Sequence, residues 1–250
     1  MSLLLTRGLF PGVNAMDSDT IFGLPQLLDL MTFAASALLY AGYVLFLRMK
    51  TRSNPAYTIQ GITIIARTAW VRKVMEEKMD ILAVQTLRNS TMAATFLAST
   101  AILLTVGVLT LTGQGDKLGV TWHSLNLLGS KHESVLAIKL VALLMDLFTA
   151  FFCFSTSVRQ FNHVGYMINA PYGETKKVMS PGIVAAQLNR GGYYYSAGMR
   201  ALYCMVPLIF WIFGPVFLIA STCVMLVILF RLDRTPAELE TEYLSQCSID

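Results

Sequence analysis

The chain has 250 residues, of which 55% are hydrophobic and only 14% charged, and its mean hydropathy is +0.58. Soluble domains run near a quarter charged, so this composition excludes an ordinary water-soluble globule and requires lipid as the solvent of much of the surface. The net charge of +4 does not point to nucleic acid, because the basic residues flank apolar stretches instead of forming one patch interleaved with aromatics.

Residues 1–23 carry one basic residue, Arg7, and the acids Asp17 and Asp19 ahead of any long apolar run, so they read as an extracytoplasmic segment and not as a secretory signal. The first span is expected over 24–47, closed by Arg48, Lys50 and Arg52 and then by the breaker Asn54-Pro55. In the loop that follows, Trp70, Val71, Val74, Met75 and Met79 alternate with charges at helical spacing, which predicts an amphipathic helix lying on the membrane surface. The second span is expected over 91–112 and the third over 134–157. The next loop predicts a short helix, with Ser180 as N-cap and Pro181 at its first position, stopped by Gly191-Gly192. Tyr193, Tyr194 and Tyr195 then form an aromatic belt before a fourth span over 201–230. Residues 231–250 read as an acidic tail, in which the capping box Thr235-Pro236-Ala237-Glu238 opens a helix to Ser245.

The expected fold class is thus all-α: a four-transmembrane-helix bundle over 24–230 with amphipathic interfacial helices in two cytoplasmic loops. Those loops hold thirteen Lys and Arg residues against five on the other side. Basic loops stay in the cytoplasm, so the reading is an integral membrane protein with both termini extracytoplasmic.

The run from Ile81 to Thr95 is accompanied by Arg67-Thr68-Ala69-Trp70-Val71, by Met167-Ile168-Asn169-Ala170-Pro171 and by the run from Pro207 to Pro215. Together these resemble the family known as domain of unknown function 599, in its longer plant-type members, from about residue 30 to residue 233. The resemblance implies a multi-pass membrane protein of this topology and brings no reaction, cofactor or catalytic residue with it. The first thirty residues and the acidic tail depart from the common pattern.

A charged side chain at membrane depth costs roughly 2.5–3.5 kcal/mol on insertion scales, which makes Asp146 in the third span the most informative residue. Lys139 lies two helical turns earlier, about 10.5 Å along the same face, too far for a direct ion pair. The pair is a candidate membrane-depth polar site, suited to a proton or ion relay or to a polar ligand. The competing reading is that Lys139 snorkels to the interface while Asp146 is satisfied by a neighbouring helix. Asp29, near the outer end of the first span, is expected to be partly hydrated. Gln85, Arg88 and Asn89 form a candidate contact for a lipid headgroup or another anion, against the plainer role of a topology anchor. Gly214 and Pro215 are a candidate kink, leaving a freed carbonyl near Trp211. Ala37 and Ala41, with Ala94 and Ala98, suit close helix packing.

No nucleophile, phosphate loop or metal-ligand ladder is recognisable, and His123, His132 and Glu133 lack metal-site spacing. The expectation is no catalytic residue, no metal and no cofactor. The function expected is a non-enzymatic binding, scaffolding or accessory subunit of a membrane assembly, and the alternative is a small oligomeric transporter or channel using Asp146. Expected partners are the lipid bilayer and a second copy or a larger membrane complex, with no nucleic acid.

Overall fold

A computed structural model describes residues 24–113, 133–170 and 179–236. Expectations for residues 1–23, for His123 and His132, and for the tail helix fall outside the described residues. Six α-helices are described: α1 Leu24–Ser53, α2 Ile59–Glu77, α3 Asp80–Thr112, α4 Glu133–Ile168, α5 Pro181–Phe213 and α6 Pro215–Asp233, with a 3-10 turn at Pro55–Tyr57 between α1 and α2. All except α2 are long and apolar enough to cross a membrane. The chain is an all-α membrane bundle, and the expected four spans become five.

The added span comes from Gly214. Its φ of 142° and ψ of 167° lie where L side chains are strained, and it caps α5 while Pro215 takes the first position of α6. Proline has no N–H to continue the ladder, so a second helix starts where the first ends. The two helices then fold back on one another: Tyr203 shares a cleft with Ile228, Phe210 shares it with Ala220, and Arg200 pairs with Asp233. The expected kink at Gly214-Pro215 is therefore a reversal. The Trp211 carbonyl is not freed, since it accepts from the Gly214 N–H at 3.1 Å.

Helices α3, α4 and α5 run antiparallel in sequence order, and α1 and α6 run parallel beside them. One core forms among Ala98, Ala101, Ala150, Phe154 and Ala201, where small residues bring α3, α4 and α5 close. A second core lies at the other end, where Val71, Val74 and Met75 of α2 pack with Leu87, Val164 and Val184. Here the structure corrects both interfacial-helix expectations. The apolar side of α2 is buried against α3, α4 and α5 instead of being offered to a bilayer surface, and the short helix after Ser180 is the first part of the 33-residue α5.

Gly191-Gly192 does not stop α5. A Cβ at Gly191 would come within 2.7 Å of the Phe161 ring, and one at Gly192 would collide with the Arg67 guanidinium. The glycines are there for close approach between helices. Half-buried Arg67 fills the space above Gly192, and burial lowers its pKa.

The start of α1 lies at the Trp211 end of the bundle, where Asp29 meets Trp211. The end of α6 lies at the opposite end, where Arg234 forms a bridge with Thr58 and the Thr235 N–H donates to the Tyr57 carbonyl. The expectation that the chain enters and leaves on one side presupposed a single fourth helix, and the reversal at Gly214 puts these two described ends at opposite ends of the bundle.

Candidate functional site

Polar groups line the interior of the bundle at three depths, set by spacings of about two turns on each helix. Asp29, Ser36 and Tyr43 recur at intervals of seven on α1, Lys139 and Asp146 on α4, and Cys204 and Trp211 on α5. Seven residues bring a side chain back to the same face about 10.5 Å further along the axis. Three helices with this period therefore present matched layers.

At the first depth, Lys139 Nζ lies 3.1 Å from Asp29 Oδ1, and solvent reaches 0% and 2% of the two side chains. Trp211 Nε1–H donates to the same Asp29 oxygen at 3.1 Å. The ammonium also sits 5.4 Å from the centre of the Trp211 ring, which Phe33 covers on a nearly parallel plane at 4.7 Å. Attraction to a carboxylate and to an aromatic face offsets the cost of holding an ammonium out of water. Lys139 does not snorkel, and Asp29 is buried instead of hydrated.

At the second depth, Phe33, Ser36, Tyr40, Asp146, Cys204 and Thr222 contribute to a cavity of about 330 Å³ between α1, α4, α5 and α6. Two buried polar atoms here, Ser36 Oγ and Asp146 Oδ2, have no hydrogen-bond partner among the described residues. Buried polar atoms are ordinarily satisfied, so two orphans lining one cavity mark a place that a polar guest would complete. Thr222 is not one of them, because its hydroxyl donates to the Leu218 carbonyl at 2.7 Å.

At the third depth, Arg200 Nη2 donates to both carboxylate oxygens of Asp233, at 3.1 and 3.0 Å, and the Tyr43 hydroxyl donates to Oδ2 at 2.7 Å. Beside this cluster a basin of about 620 Å³ opens between α1, α2, α5 and α6. Tyr40 borders both this basin and the Asp146 cavity.

Of the residues singled out from the sequence, Asp146 and Lys139 face the interior but do not form one site: Lys139 belongs to the first layer with Asp29, and Asp146 to the second. Gln85, Arg88 and Asn89 lie exposed within about one turn of α3, and no hydrogen bond or ion pair from another described residue reaches their side chains. Ala94 and Ala98 are buried against neighbouring helices, whereas Ala41 is exposed. Two participants went unrecognised. Asp29 stands about as far inside the outer end of its helix as Lys139 does, and opposite charges at matched depth were a legible signal. Asp233 falls at the start of the tail expected from residue 231, because a single fourth helix keeps it far from Arg200.

These features define the class: an all-α membrane bundle with a layered polar interior. Beyond class, the chain belongs to the family described as protein of unknown function, DUF599, whose model matches residues 31–237. The matched stretch contains Lys139, Asp146, Trp211 and Asp233. Among curated proteins and among solved structures, nothing matches.

Proposed function

We propose that this is a non-enzymatic integral membrane protein that binds a small cation or hydrogen-bond donor at Asp146 and passes it across the bilayer. The observation that carries this reading is the pair of unpartnered atoms, Ser36 Oγ and Asp146 Oδ2, lining one cavity at membrane depth. Intramembrane carboxylates of this kind mark ion and proton paths, and the layers on either side are already saturated by their own ion pairs. Tyr40, bordering both the cavity and the basin, is the natural gate between them. The orientation proposed with it puts the start of α1 outside and the end of α6 in the cytoplasm. Arg231 and Arg234 then join Arg48, Lys50 and Arg52 on the side that keeps its positive charge.

Protons are the simplest probe. In proteoliposomes loaded with a pH-sensitive dye and driven by a potassium diffusion potential, the native chain should acidify the lumen, and Asp146→Asn should lower that rate about tenfold or more with abundance and melting temperature unchanged. A native rate equal to that of empty liposomes removes the proton version of the reading, and an unchanged rate in Asp146→Asn removes the role of the carboxylate.

A second reading, an accessory subunit of a larger assembly, draws support from α1. Leu38, Leu39 and Phe46 are exposed around a shallow groove over Ala35 and Gly42, where a further helix could lie. A stoichiometric neighbour retained through mild detergent and lost on Gly42→Leu is the outcome this reading requires.

A further inference from the structure

We propose that the basin between α1, α2, α5 and α6 holds the phosphate group of an anionic phospholipid from the adjoining leaflet. Depth places it there. Arg48 follows Asp29 by nineteen residues, about 28 Å of helix, so an α1 whose outer end sits at one interface delivers Arg48 and Arg52 to the headgroups of the other.

Charge selects an anion. Arg200 is neutralised by its two bonds to Asp233, whereas Arg48 and Arg52 line the same basin with no ion pair among the described residues. Standing four apart on α1, they project on the same side, as two donors of planar geometry matched to phosphate oxygens. Both arginines are exposed where they line this recess, within reach of a headgroup in the adjoining leaflet.

Shape selects a lipid over a free anion. A volume of about 620 Å³ exceeds what a phosphate ion fills, and Val44 and Leu47, up to one turn before Arg48 on α1, give the basin an apolar part. That arrangement puts hydrocarbon next to α1 where a glycerol backbone and the first carbons of an acyl chain would run. Leu45 and Phe46 beside it are exposed apolar side chains. The basin is also where Tyr40 meets the solute path proposed for Asp146, but the lipid site rests on Arg48, Arg52 and the apolar lining and stands without that path.

The test is native mass spectrometry of the full chain in detergent micelles doped with phosphatidylglycerol or phosphatidylcholine. The native chain should retain phosphatidylglycerol about tenfold more than phosphatidylcholine, and Arg48→Gln with Arg52→Gln should bring the two to near equality. Arg159→Gln, which removes an exposed charge from the same end of α4, should leave the preference intact. Val44→Trp, which fills the apolar part of the basin and keeps both arginines, is the second variant, and it should lose the lipid even if the arginine pair variant folds poorly. Survival of the preference in the arginine pair variant, or its survival in Val44→Trp, overturns the proposal. Equal loss in Arg159→Gln also overturns it, because diffuse surface charge then suffices. If inorganic phosphate in phosphatidylcholine micelles raises the melting temperature as far as phosphatidylglycerol does, the ligand is a free anion and the lipid is ruled out.

Discussion

Lys139 is a long side chain that solvent fails to reach, and its charge is held by Asp29 at 3.1 Å with Trp211 on the flank. Removing one member of a buried pair leaves the other charged and alone, at a cost of about 3–5 kcal/mol, whereas replacing both by neutral groups of similar volume is often close to neutral. Lys139→Met should therefore lower the melting temperature in detergent sharply. Asp29→Asn added to it should restore most of the loss, because the asparagine carbonyl still accepts from Trp211 Nε1. A double variant as unstable as the single one would show that the pair is not the cause. Asp146 was legible from the sequence because a lone carboxylate in an apolar run is conspicuous wherever it points. The partnership of Asp29 was not, because it depends on which helices become neighbours, and that is decided by packing far from either residue.

The helix ends were read well where the chemistry is local. Pro181 opens α5 after Ser180 as expected, and the apolar run from 24 onwards does form α1. The failure at 201–230 was one of length. Thirty residues make about 45 Å of helix, well beyond a hydrocarbon core of about 30 Å, and that excess was a visible reason to look for two elements. Gly214 supplies the break. Gly214→Ala forces an L side chain into a region open almost only to glycine, at a cost of about 1–3 kcal/mol, and should lower the melting temperature and loosen the Arg200–Asp233 end of the hairpin. Gly191-Gly192 misled for the opposite reason: glycine ends helices, but it also lets helices touch, and only the presence of Phe161 and Arg67 distinguishes the two uses. Gly191→Ala should cost about 1–3 kcal/mol through overpacking, and Phe161→Leu in the same chain should recover part of it in a thermal melt.

Composition alone established that the molecule lives in lipid, and the positions of most apolar stretches followed. The parity of the spans did not, and parity decides where the ends of the bundle go. Epitope tags placed before residue 24 and after residue 236 should be digested by protease from opposite faces of sealed vesicles; digestion from the same face would contradict the five-helix arrangement. The sequence of α2 alone could not place that helix. Its alternating pattern specifies one apolar side and one polar side, and a bilayer surface and a protein groove satisfy that pattern equally.

The length of α4 has a mechanical meaning. It is one unbroken helix of 36 residues shared by the core at the α2 end and the core around Ala150 and Phe154, a rod of about 54 Å. A tilt of about 5° applied where α2 grips it would carry its far end sideways by about 4 Å, more than the separation that holds Lys139 to Asp29. Whatever takes hold of α2 therefore has leverage through α4 on the innermost charges of the bundle, whereas α5 carries Pro207 part-way along the same route.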